Sequence, residues 1–216
     1  MTLTLISAVT CENRAKLVMG CDSLEKWESY KLPEKNDKIF CLDSFLFGAS
    51  GDSDTISELL RIFENKVPKS IKNVYKKIED FNNKIKNSDD KVSFLLCGND
   101  RNKLSIYYDG CKEMPTAWCT VGQAELHANN YLADNYRESV VLNEAIYLVL
   151  ECLNIGENYT GVERPFHIYY FENTSSMPEK LDEKVLQEFQ KLVDEKKENL
   201  AQLNKKFLQE AKNIEL

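Results

Sequence analysis

Short β-patterned runs come in groups along this chain, and the first two groups are each followed by a pair of helical patterns, an order that few architectures accommodate. Residues 3–9 and 16–21, on either side of Glu12-Asn13-Arg14, and then 38–42 and 45–49 read as antiparallel strands. A helix is expected next. Thr55-Ile56-Ser57-Glu58 has the capping-box spacing, and Ile56, Leu59, Leu60 and Phe63 recur on one face. A second helix is expected from near Pro68 to about Lys86, carried by Ile71, Val74, Tyr75, Ile78, Phe81 and Ile85. The polar stretch 87–90 breaks it, and 92–97 and 104–108 read as a strand pair around a turn at 98–102. A strand at 118–121 leads into helical patterns around 125–136 and 142–153, and 166–171 is a last β-rich run.

Strand groups alternating with helix pairs give an α+β chain, and the expected architecture is a four-layer αββα sandwich, two antiparallel sheets face to face with helices outside. From Pro178 the composition shifts to Lys, Glu and Gln. There Leu186, Phe189, Val193, Leu200, Leu203, Phe207 and Ile214 follow steps of three and four, with Lys196 and Glu210 at the missing positions. A sandwich domain over 1–176 and a long charged amphipathic helix over 177–216 are therefore expected. The apolar stripe of that helix packs either on its own domain or on another subunit.

Composition excludes several classes of function. With 28 Lys+Arg against 35 Asp+Glu, the net charge of -7 offers no footprint for a phosphate backbone, so nucleic acid is not an expected partner. The longest apolar run, 145–150, falls far short of the roughly 20 residues that cross a bilayer, so no membrane span is expected. The first residues lack the charged n-region of a secretory signal, and the seven cysteines form no CxxC pair. They read as reduced thiols of a cytoplasmic protein. The two histidines, His127 and His167, are far apart, which argues against a zinc site, and no cofactor is implied.

The chemical signal lies in the first strands. Met1 precedes the small residue Thr2, a context in which the initiator is usually trimmed. Trimming would leave a threonine whose own α-amine, with a pKa of about 7.7–8.0 in model peptides, can act as base for its hydroxyl. Asp22 ends the second strand and Lys38 opens the next as Lys38-Ile39-Phe40. An ammonium beside the hydroxyl favours its anion, and a carboxylate beside the ammonium keeps it charged and oriented. A hairpin around Glu12-Asn13 is expected to set Asp22 opposite Thr2, with Thr4 on the same face as Thr2 and a rival nucleophile if three residues were removed.

Thr2, the Asp22-Ser23 pair and Lys38-Ile39-Phe40 resemble the β-type subunits of the proteasome family, which are N-terminal-nucleophile hydrolases. The sixteen residues from Asp22 to Lys38 match the family spacing. The twenty from Thr2 to Asp22 are four more than the family has. Ser50-Gly51-Asp52-Ser53-Asp54 is similar to the family's turn between strand and first helix, so the resemblance gives the backbone N–H of Gly51 the oxyanion role. Residues 93–100 and 104–110 resemble its central hairpin. Val121-Gly122-Gln123 resembles its Gly-Ser-Gly, and Glu157-Asn158-Tyr159-Thr160-Gly161 its Asp-x-x-Ser-Gly. The resemblance implies catalytic roles for Thr2, Asp22, Lys38 and Gly51, support from Ser23, Gln123, Glu157 and Thr160, a peptide or amide substrate, and a ring-like homo-oligomer. It leaves the tail after Pro178 uncovered.

Three residues or segments depart from the family pattern. Gln123 stands where a serine helps polarise the amine, Glu157 replaces an aspartate, and Leu24-Glu25-Lys26 replaces Arg-x-Thr. These departures and the terminal helix motivate the alternative expectation of a non-catalytic subunit or scaffold that assembles through that helix.

Overall fold

The computed structural model describes residues 4–23, 38–64, 66–85, 91–111, 115–158 and 162–211, with side chains to 206. Strand β1 (Leu5–Cys11) pairs antiparallel with β2 (Lys16–Cys21), and every residue of β1 is buried. The reason is position. β1 has neighbours on both edges, in a five-stranded sheet ordered β7-β1-β2-β8-β9, where β7 is Trp118–Gly122, β8 is His167–Phe171 and β9 is Glu179–Lys180. A second sheet runs β3-β4-β5-β6, from Ile39–Leu42, Phe45–Ser50, Ser93–Asp100 and Lys103–Tyr108.

The period of two in each strand sorts side chains to opposite faces. Ile6, Ala8, Leu17, Met19 and Cys21 of the first sheet meet Ile39, Leu46, Leu95, Leu104 and Ile106 of the second in one core between the sheets. The alternate residues of the second sheet, Phe45, Phe47, Phe94, Leu96 and Tyr107, pack under α1 (Ser53–Arg61) and α2 (Ile71–Asn82). On the far side, α4 (Leu142–Glu157) lies on β1 and β2, and α3 (Glu125–Asn135) lies on β7 and α4. The molecule is an α+β sandwich with helices on both outer faces, and burying each large apolar side chain stabilises it by roughly 1.5–3 kcal/mol.

Local details depart from the sequence expectation in ways with clear causes. Helix α1 is capped by Asp52, whose carboxylate accepts the backbone N–H and the hydroxyl of Thr55, both at 2.9 Å. Thr55 is therefore the donor to a cap and not the cap of a later box. Helix α2 starts at Ile71 and not near Pro68, because Ser70 is extended (φ -110°) and its carbonyl receives the N–H of Asn73 and Val74. The β5–β6 turn is the two residues Arg101 and Asn102, both left-handed (φ 54° and 66°), and Gly98 lies inside β5 opposite Ser105.

Residues Met1–Leu181 form one compact unit and Asp182–Leu216 a second. The boundary falls later than 176 because β9 still pairs with β8 through Tyr169↔Lys180 and Tyr170↔Glu179. The second unit is α5 (Glu183–Ala211), a helix of 29 residues that starts where the Asp182 carboxylate accepts the N–H of Lys184 at 2.8 Å. Among the described residues, no helix is long and apolar enough to cross a membrane.

Candidate active site

The β1–β2 hairpin fixes where chemistry can occur. Cys11↔Lys16 is its closing pair, and Glu12, Asn13 and Arg14 are all left-handed (φ 50°, 57° and 68°), so the loop takes four residues and the register runs Ile6↔Cys21. One step further, Asp22 lies across from Leu5: its Oδ1 accepts the Leu5 N–H at 2.9 Å, and its own N–H donates to the Leu5 carbonyl at 3.3 Å. This corrects the expectation that Asp22 stands opposite Thr2. Thr2 itself, like Thr160, lies outside the described residues.

Asp22 is fully buried, and Lys38 closes on it with Nζ 2.8 Å from Oδ2; the lysine side chain is 12% exposed. Removing two charges from water is costly, and the pair is sustained by charge-assisted contacts on both carboxylate oxygens. Lys38 precedes β3 because its carbonyl accepts the N–H of Ala49 at 3.2 Å, which ties the start of β3 to the end of β4. Ser50 and Gly51 follow directly, between that tie and the Asp52 cap of α1.

The end of β7 completes the cluster. Gln123 donates its backbone N–H to the Thr4 carbonyl at 2.7 Å. Gly122 has φ +101°, and a Cβ built on it would sit 1.9 Å from the Thr4 carbonyl oxygen and 3.5 Å from Ser50 Oγ. Only glycine fits there. Thr4 and Ser50 are both buried, and by strand parity both face the space between the sheets: Thr4 with Ile6 and Ala8, Ser50 with Gly48, whose own Cβ position lies 2.8 Å from Ile6. The starts of β1 and β3 and the ends of β2, β4 and β7 thus converge at one end of the sandwich.

Of the expected supporting residues, Ser23 donates its N–H to the Glu163 carbonyl at 3.3 Å, which draws the loop before β8 to the end of β2. Glu157 ends α4 and is gripped at two points by Arg164, Nε to Oε1 at 2.7 Å and Nη2 to Oε2 at 3.0 Å. Gln123 contributes the backbone contact to Thr4 already described. Thr4, Ser50 and Gly122 were not given leading roles by sequence reasoning. The signal that finds them is parity, since Ser50 continues the inward row of Leu46 and Gly48.

Four of the seven cysteines are chemically disfavoured as nucleophiles. Burial pushes the thiols of Cys11, Cys119 and Cys152 up to about 12, and that of Cys97 well above its ordinary 9.0. Among the described residues, no group of three or more His, Cys, Asp or Glu is placed to hold a metal ion. A cavity of about 560 Å³ wraps the β3 edge between Phe40, Leu60, Phe63, Val67 and Tyr169, and its lining includes neither Asp22 nor Lys38. No family model matches this sequence, and no curated protein is significantly similar to it.

Proposed function

We propose that the protein is a threonine-type amide hydrolase of the N-terminal-nucleophile kind, similar in plan to a proteasome β-type subunit and acting on a peptide or amide substrate. The observation that carries this reading is the buried Asp22–Lys38 pair at 2.8 Å, hydrogen-bonded to the backbone of β1 next to its N-terminal end. A threonine freed at the start of β1 would have its own α-amine as base and the Lys38 ammonium to favour its alkoxide. The chain offers two such residues, Thr2 with Met1 removed and Thr4. A backbone N–H at Gly51 would receive the oxyanion of the tetrahedral intermediate, a contribution of about 2.7–4 kcal/mol where such donors have been removed elsewhere.

The test is turnover of a fluorogenic peptide together with labelling by a peptide epoxyketone, which reacts with both the hydroxyl and the amine of an N-terminal threonine. Lys38→Ala is expected to abolish both while far-UV circular dichroism is retained; unchanged turnover in that variant overturns the reading. Six of the seven cysteines are buried, which fits thiols kept in a reducing, cytoplasmic setting.

A second reading, a non-catalytic subunit assembling through α5, is favoured by Glu157. Its carboxylate is engaged by Arg164, and Gln123 offers no hydroxyl. Retention in the mature protein of every residue before Thr4, with no labelled threonine, is the outcome that selects it.

A further inference from the structure

We propose that the reacting residue is Thr4, exposed as the first residue of the mature chain by hydrolysis of the Leu3–Thr4 amide; this rests on the hydrolase reading and decides which threonine carries it out. The register argues for it. Asp22 holds the N–H of Leu5 at 2.9 Å and Lys38 holds Asp22 at 2.8 Å, so the ion pair is one residue from Thr4. Thr2 is three residues from Leu5 in sequence, whereas Thr4 is its immediate neighbour.

Parity and position agree. Thr4 shares the inward face of Ile6 and Ala8, across the sandwich from the row of Leu46, Gly48 and Ser50. Its carbonyl is fixed by the Gln123 N–H at 2.7 Å and seated against Gly122, beside the Ser50 hydroxyl. A reacting group held on rigid strands by its own backbone needs little further ordering to reach its substrate. Thr4 is only 2% exposed, held at the end of the sandwich where these strands meet.

The maturation step consumes one water. The Leu3 carbonyl carbon takes the hydroxyl, the Thr4 nitrogen takes the proton, and the segment ending at Leu3 leaves with a free carboxyl group. The new α-amine then supplies the base that an internal Thr4 lacks.

The experiment combines intact mass, N-terminal peptide mapping and epoxyketone labelling of the full chain and of a chain produced to begin directly at Thr4. The expected result is a label on Thr4 in the chain that begins there, loss of label and turnover in Thr4→Ala, and retention of both in Thr4→Ser. A label on Thr2 in a chain that begins at Thr2 overturns the inference and leaves the hydrolase reading standing. Absence of label and turnover in chains beginning at either threonine, with the fold intact by circular dichroism, overturns both.

Discussion

Asp22 has one oxygen on the Leu5 N–H and the other on the Lys38 ammonium, so the two halves of the pair are unequal under mutation. Lys38→Met leaves a buried carboxylate with the backbone contact but no cation beside it, a loss of about 3–5 kcal/mol for pairs of this kind. For a chain of this length that corresponds to a fall in Tm on the order of 10 °C. Adding Asp22→Asn removes the stranded charge while an amide oxygen can still accept from Leu5, so the double variant is expected to melt above Lys38→Met alone; thermal unfolding of the three proteins checks the order. Two glycines make a second contrast. At Gly110, φ is +77° but a Cβ would meet nothing within 4 Å, so Gly110→Ala carries only backbone strain, about 1–3 kcal/mol. Gly122→Ala adds a collision at 1.9 Å with the Thr4 carbonyl, which can only be relieved by parting β1 from β7. Denaturant melts are expected to show Gly122→Ala as much the worse of the two, with loss of epoxyketone labelling.

At the scale of elements, strand and helix existence was legible because apolar periodicity is set by burial: alternate strand residues fill the core between the sheets, and α1 and α2 turn an apolar face onto the second sheet. What composition hides is conformation at the junctions. Glu12, Asn13 and Arg14 carry no glycine yet are all left-handed, and this four-residue loop is what moved Asp22 from Thr2 to Leu5. The two acidic residues of the Asp22 and Asp52 motifs were readable as residues, but the first takes its role from a lysine sixteen positions away and the second from a threonine three positions on. The Asp52 cap gives a pH test of the junction that follows the site. The Thr55 N–H and hydroxyl hold its carboxyl below the ordinary 3.8. Because the folded-state value is the lower one, the stabilisation is present above 3.8 and is lost as pH falls through the folded value. Asp52→Ala is therefore expected to cost about 1 kcal/mol at pH 7. The gap from the parent protein is expected to narrow steadily as urea melts are repeated at pH 4 and below.

For the whole molecule, the question is whether the sandwich needs the helix that follows it. Both core clusters are supplied by residues up to Phe171, and each described strand pairs within the first unit, which ends at Leu181. Removing 182–216 is accordingly expected to leave cooperative unfolding of the sandwich and its β-rich circular dichroism intact. The stripe on α5 raises a separate issue. Leu192, Leu200 and Leu203 are exposed by 53%, 48% and 45%, spaced eight and three residues apart on a helix of 29. Leucines repeated on one face of so charged a helix give up free energy to water unless covered. If a second copy covers them, the truncated protein runs at a lower mass in light scattering than the full chain by at least a factor of two, and Leu200→Glu with Leu203→Glu reproduces that drop without shortening the chain. Equal subunit number in all three proteins excludes α5 as the element that joins subunits, and with it the scaffold reading that depends on such a joint.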